Sequence, residues 1–303
     1  MKIVVFGCQQ IGVDVLNYLS SRDEIEVSQV ITYELPLDKT YGYESVLDFC
    51  REKNIEVIMP KSVTRDVVQQ LVDISPDMIL SIYYRKILPQ SVIDIPKLGC
   101  INIHPSELPN YRGPVPTAWA IENGETQFGI TIHYVDENID TGDILVQEVY
   151  KIGEDETGYE LYTRAMELGY QLFRKNFDDI KDGKITPVPQ VGTGSYFGKK
   201  GGKYNIDWKK STEDVRNLIR VHAKPFNPAE TTLFNRYVLI NKAIEYHADS
   251  IPLQGGGKIV KILDDGFVVS CADGYLLIQD YEIAPSLTDQ ERKIYLKEGN
   301  SFG

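Results

Sequence analysis

Asn102, His104 and Asp140 are the side chains of this chain best equipped for chemistry. The first two lie in Gly99-Cys100-Ile101-Asn102-Ile103-His104-Pro105, two positions apart in a short apolar run that stops at a proline. Read as a strand, that run sends both side chains from one face while Ile101 and Ile103 pack the other. A donor amide and a titratable imidazole then emerge together at a strand end, where α/β proteins commonly place their chemistry. Asp140 stands in Asp136-Glu137-Asn138-Ile139-Asp140-Thr141-Gly142-Asp143, a turn-rich stretch after a second apolar run, Gly129 to Val135. Folded back to the imidazole, it would complete a base, an orienting carboxylate and an oxyanion donor, the set that acyl transfer uses. The residue types also leave a plainer reading open. Histidines near strand ends are more often satisfied groups than catalysts, and Asp before Thr-Gly is an ordinary turn former.

The elements that must position these residues alternate. Strands are expected at Lys2–Phe6, Val27–Thr32, Glu56–Met59, Met78–Tyr83 and Cys100–His104, with helices at Ile11–Leu19, Ser45–Lys53 and Thr64–Asp73 between them. Such alternation argues for a parallel sheet flanked by helices. A helix at Pro116–Glu122, strands at Gly129–Val135 and Ile144–Ile152, and a long helix from Gly158 to Ile180 follow. Residues 185–203, with Pro187-Val188-Pro189, Gly192-Thr193-Gly194 and Gly201-Gly202, read as a connector. Beyond it, Ser211 is placed to cap a helix to about His222. Strands at Thr232–Asn241, Gly257–Leu263, Gly266–Cys271 and Tyr275–Tyr281, joined by Asp-Gly turns, suggest a small barrel. The expectation is therefore α/β: a catalytic domain over residues 1–200, then a linker helix and small β-rich domain over 201–303.

Composition excludes several classes. The 303 residues are 42% hydrophobic and 25% charged, as in ordinary globular proteins, and no stretch approaches ~20 apolar residues. The opening Met1–Gly7 reads as a buried strand and not a secretion signal, so a cytoplasmic location is expected. Cys8, Cys50, Cys100 and Cys271 are scattered without C-x-x-C or metal-ligand spacing, and no metal is expected. Residues 1–200 carry 19 basic and 30 acidic side chains, and residues 201–303 carry 13 and 14. Gripping a long polyanion needs a broad positive field, which this balance does not supply. One window departs from it. Lys199, Lys200, Lys203, Lys209, Lys210, Arg216, Arg220 and Lys224 meet only Asp207, Glu213 and Asp214, which suits either a solvated helix face or a pocket for one nucleotide. Gly7-Cys8-Gln9-Gln10-Ile11-Gly12 sits where a dinucleotide loop would, but lacks the middle glycine of G-x-G-x-x-G and reads better as a tight strand-to-helix turn.

The stretch from Asn102 to Gln147 resembles the heart of the N10-formyltetrahydrofolate-dependent formyltransferase family. Asn102, His104, Ser106, Leu108-Pro109, Tyr111-Arg112-Gly113 and Asp136 through Asp143 stand in that family's order and spacing. Glu107 replaces the usual Leu, and Asn138 the usual Gly; Asn enters left-handed conformations more readily than most residues. Ser195-Tyr196-Phe197-Gly198-Lys199-Lys200, Asn205-Ile206-Asp207-Trp208 and Asn217-Leu218-Ile219-Arg220 resemble the junction of two-domain members. The last hundred residues match their small C-terminal barrel more loosely. The resemblance implies a Rossmann-like N-terminal domain and an OB-like C-terminal one.

It also implies roles. Asn102 would donate to the formyl oxygen, His104 would move the proton, and Asp140 would orient His104. Folate would lie against Tyr84–Pro89 and Val135–Ile139, with Arg85, Ile87, Leu88, Val135, Asn138 and Ile139 as contacts. Tyr111, Arg112, Gly113, Lys199, Lys200, Tyr204 and Arg220 are the substrate contacts it suggests. Members formylate methionyl-tRNA, glycinamide ribonucleotide or a nucleotide-linked amino sugar. The single-domain ribonucleotide enzymes lack this tail. The tRNA enzymes carry a basic insertion where Thr32–Ser45 here has Glu34, Asp38 and Glu44 against Lys39. The resemblance thus points to the nucleotide-sugar branch, with methionyl-tRNA formyltransferase and a non-catalytic folate- or nucleotide-binding protein as alternatives. Membrane and nucleic-acid partners are not expected, and a homodimer is left open.

Overall fold

A computed structural model of the chain describes residues 1–33, 41–199, 204–247, 253 and 255–303. Glu34, Asp38, Lys39, Lys200 and Lys203 lie outside the described residues. Among those described, no helix is long and apolar enough to cross a membrane. The chain divides into two compact units. One holds Met1–Pro116, Gln127–Tyr150 and Thr163–Lys199; the other holds Thr117–Thr126, Lys151–Tyr162 and the described part of Lys200–Gly303.

The first unit is built on a seven-stranded mixed sheet. Its strands are β1 (Lys2–Gly7), β2 (Glu26–Ile31), β3 (Val57–Ile58), β4 (Met78–Ile82), β5 (Cys100–His104), β6 (Gln127–Tyr134) and β7 (Ile144–Lys151), in the order β3-β2-β1-β4-β5-β6-β7. The first five pair in parallel; β6 runs antiparallel to β5. Helices α1 (Gln9–Ser20), α2 (Val46–Glu52), α3 (Arg65–Ile74) and the short α4 (Gln90–Ile93) lie between these strands along the chain. Ile3 through Phe6 on β1 and Met78 through Leu80 on β4 are wholly buried, as central strands covered on both faces must be. Gly7 ends β1 and Gln9 opens α1, which is the tight turn expected of that glycine stretch.

Helices α5 (Pro116–Glu122) and α6 (Gly158–Lys181) follow β5 and β7. The second unit continues with α7 (Thr212–His222), where the Ser211 hydroxyl accepts from the Asp214 amide and caps the helix as expected. Its sheet is antiparallel, in the order β10 (Ile259–Leu263), β11 (Gly266–Ser270), β12 (Tyr275–Ala284), β9 (Arg236–Glu245), β8 (Ala229–Leu233). Residues 300–303 bridge the two outer strands: Ser301 pairs with Lys258 and Phe302 with Leu233. Trp208, Phe267 and Phe302 stack at the centre of this unit's core, and Trp208 Nε1 donates to Thr231 Oγ1 at 3.0 Å.

Two departures from the sequence expectation have physical causes. The single strand expected over Thr232–Asn241 is a hairpin, β8–β9, because Phe234 takes a left-handed φ of 54° and reverses the chain. A final helix, α8 (Asp289–Tyr295), was not anticipated, although Thr288 and Glu291 form a complete capping box at its start.

Candidate active site

The site grows from the β5–β6 ladder. Asn102 pairs with His133 and His104 with Thr131, and residues directly opposite in an antiparallel pair project from the same face. Asn102 Nδ2 lies 3.1 Å from His133 Nε2, and His133 Nδ1 lies 2.7 Å from the Tyr134 carbonyl. A carbonyl can only accept, so Nδ1 carries the hydrogen and Nε2 receives from the amide. His133 is 1% exposed, and burial pulls its imidazole down to about 4. It is therefore neutral across the physiological range.

His104 is buried at the strand end, with Nε2 2.9 Å from the Tyr111 carbonyl. By the same reasoning Nε2 donates, and the neutral ring keeps its lone pair on Nδ1. That nitrogen lies 3.6 Å from Asp140 Oδ2, while Asp140 Oδ1 lies 3.8 Å from His133 Nε2. The Gly113 amide donates to Asp140 Oδ2 at 2.8 Å and holds the carboxylate. Asn102, His104 and Asp140, expected from sequence as a set, thus meet in one cluster. His133 joins them, a residue the sequence reading missed; its signal is the Thr131-x-His133 alternation opposite Asn102-x-His104.

Loops fix this arrangement. Thr131 Oγ1 donates to the Ser106 carbonyl and accepts from Gln147 Nε2, which also donates to the Leu108 carbonyl. The turn after β5 is thereby tied to β6 and β7. Gly142 closes against β6 so tightly that a Cβ there would overlap the Tyr134 carbonyl oxygen. Gly113, at a φ of 95°, would likewise drive a Cβ into the Phe197 carbonyl oxygen. Cys100 shares β5 but is no nucleophile, since burial pushes its thiol up to about 12.

The chain matches the sequence pattern of the family described as Formyl transferase over residues 1–176, and that of the formyl transferase C-terminal domain over residues 200–286. The chain belongs to the formyl transferase family. It is a formyl-transferring enzyme, with a helix-flanked mixed sheet followed by an antiparallel β-rich part. Methionyl-tRNA formyltransferase of Acetivibrio thermocellus is 33% identical over 310 residues, covering 98% of this chain and 95% of its own. That of Alkaliphilus oremlandii is 34% identical over 297 residues, covering 94% and 92%. Among solved structures, the N-formyltransferase from Helicobacter canadensis in complex with folinic acid and dTDP-3-aminofucose superposes with a TM-score of 0.74 at 22% identity, over 93% of this chain and 100% of that one. A 4-N formyltransferase from Francisella tularensis gives 0.62 at 25%, over 77% and 92%. The first of these structural likenesses is one of fold.

The remaining residues expected to bind ligands in this formyltransferase fall into different settings. Leu88 is buried in one apolar cluster, and Val135 packs against that cluster. Ile87 and Ile139 are large apolar side chains left 73% and 39% exposed. The Arg85 amide donates to Tyr33 Oη, and the Asn138 amide donates to Asp136 Oδ1 in a local turn. Tyr111 stacks on Phe197 with ring centroids 4.9 Å apart, and its amide donates to Ser195 Oγ. Arg112 sends Nε and Nη2 to Gln190 Oε1. Lys199 is exposed.

Tyr204 and Arg220 belong to the second unit. Tyr204 stacks on His222. Arg220 donates to Asn217 Oδ1 and to the carbonyls of Gly153, Glu154 and Glu156, and Arg216 pairs with Asp155. Those bonds engage several of the guanidinium hydrogens in this basic window.

Proposed function

We propose that this enzyme transfers a formyl group from N10-formyltetrahydrofolate to the amino group of a nucleotide-linked amino sugar. The observation that carries the chemistry is the convergence of Asn102, His104 and Asp140 around one face of the β5–β6 ladder. The folate supplies the formyl carbon and departs as an N10 amine. The exposed Ile87 and Ile139, each close in sequence to a residue of one apolar cluster (Leu88 and Val135), suit the apolar faces of its ring system.

Asn102 has two amide hydrogens, and His133 takes one. The other is free to donate to the formyl oxygen as negative charge grows there, a contribution of about 3 kcal/mol for a well-placed donor. His104 receives the proton of the attacking amine at Nδ1, the nitrogen that Tyr111 leaves open, and returns it to the departing nitrogen. Asp140, held by Gly113, stabilises the imidazolium between those two events. No metal is assigned a role. The working location proposed is the cytoplasm, and a homodimer is compatible with the reading.

For the acceptor, the excess of 30 acidic over 19 basic side chains in residues 1–200 favours a small ligand over tRNA. The fold likeness to the Helicobacter canadensis enzyme supports the same choice. A second reading, methionyl-tRNA formyltransferase, is favoured by the relatives at 33% and 34% identity. The deciding assay offers N10-formyltetrahydrofolate with dTDP-linked and other nucleotide-linked amino sugars in parallel with methionyl-tRNA. A mass gain of one formyl group on a sugar supports the first reading. Turnover of the tRNA alone, falling steeply with added salt, replaces it with the second. Retained folate binding with no transfer to any amine would leave a binding protein.

A further inference from the structure

Gln190 lies in the proline- and glycine-rich segment that the sequence presents as a mere connector, yet its carboxamide uses both ends. Oε1 accepts from Arg112 Nε at 3.2 Å and Nη2 at 2.7 Å. Nε2 donates to the carbonyls of Asp140 and Gly142, both at 2.9 Å. The orientation of the amide is fixed, because guanidinium only donates and carbonyl only accepts. Asp140 itself holds a left-handed φ of 55°, a conformation unfavourable for a non-glycine residue that persists when its surroundings enforce it.

We propose that Gln190 is a positioning residue that sets the Asp140 loop, by donating to the carbonyls on either side of Thr141 while anchored on Arg112. The proposal rests on the reading that Asp140 serves His104. It gives Arg112 a task besides substrate contact. Arg112 holds Gln190 with its side chain, and the next residue, Gly113, holds the Asp140 carboxylate with its amide. Backbone and side chain of Asp140 are thus both referred to one short segment. The carboxylate stands 3.6 Å from His104, and its attraction for an imidazolium weakens as that separation grows.

Gln190→Glu separates anchoring from donation. Its carboxylate keeps Arg112 as an ion pair but offers no hydrogen to the two carbonyls; Gln190→Met removes both interactions. Amide hydrogen exchange over residues 136–143 is expected to quicken in both variants while the β-sheet amides stay protected, and Gln190→Glu should melt near the parent temperature. With N10-formyltetrahydrofolate, and dTDP-3-aminofucose and methionyl-tRNA offered in parallel, kcat should fall roughly 10- to 100-fold in both, with little change in KM. Gln190→Met should cost little more when Asp140→Asn is already present. Unchanged loop exchange in Gln190→Glu, full kcat in that variant, or fully additive losses in the double variant would overturn the proposal. Near-parent turnover in Asp140→Asn alone would instead sink the site reading beneath it.

Discussion

Asn102 and His133 face each other across the β5–β6 ladder, with the amide nitrogen of the first 3.1 Å from Nε2 of the second. Turning or charging the ring to release that contact is disfavoured. Its other nitrogen donates to the Tyr134 carbonyl, and burial disfavours the imidazolium. A neutral histidine of fixed tautomer is thus a stationary acceptor, and it aims the carboxamide whose second hydrogen is proposed to meet the formyl oxygen.

Removing that acceptor should reduce kcat more than it raises KM. His133→Leu is expected to lose roughly 10-fold or more in kcat, less than the ~100-fold that deleting the Asn102 donor would cost. His133→Gln keeps an acceptor oxygen and should fall between parent and His133→Leu. Steady-state kinetics on folded variants checks this; a full-rate His133→Leu would remove the orienting role.

His133 also makes stability depend on acidity. Its folded value, about 4, lies below the ordinary 6.5, so the unfolded chain binds a proton that the folded one refuses. The contribution is complete above the ordinary value and is lost progressively as pH falls from about 6.5 toward the folded value. Denaturant melts across that window should show the loss in the parent and a shallower slope in His133→Leu. Equal slopes would refute the assignment.

His104→Ala should lose roughly 100- to 10,000-fold in turnover, the range for a positioned proton carrier, with its melting transition intact. Asp140→Asn should lose less, because the amide still accepts from Gly113 at one oxygen but no longer offsets an imidazolium. Near-parent rates in both would leave the cluster structural.

In the second unit, Phe302 is the side chain to test. It is 7% exposed and stacks on Trp208 and Phe267. Phe302→Ala should destabilise that unit by roughly 3–5 kcal/mol, read as an earlier chemical-denaturation midpoint by tryptophan fluorescence. An unmoved midpoint would mean the stack contributes little.

The strand bearing Asn102 and His104 was legible because a period of two is written in adjacent residues, and its polar members stand out between isoleucines. His133 was not, since its partnership depends on which strand lies beside β5 and in what register, a fact of the sheet and not of the segment. Gln190 hid for a similar reason: Pro189 beside it and two nearby glycines mark irregular backbone, and irregular backbone can be either slack or tightly tied. The hairpin at Phe234 gave no warning, because an aromatic residue with positive φ is rare enough that no pattern anticipates it. The helix at Asp289 did give one, through Thr288 and Glu291, but a short helix with no buried residues has no apolar stripe to announce it.

The bridging of β8 and β10 by residues 300–303 has a consequence for how the molecule is made. Thr231 and Thr232 receive their partner at Gly303 only after 72 and 71 further residues have been added. On the β8 margin Glu230 is already paired with residues 204–206, so until then the open backbone groups are those of Thr232 and of the Gly257–Ile259 stretch, a template for pairing with a neighbouring nascent copy. One short segment, arriving late, ties both of those exposed stretches down at once.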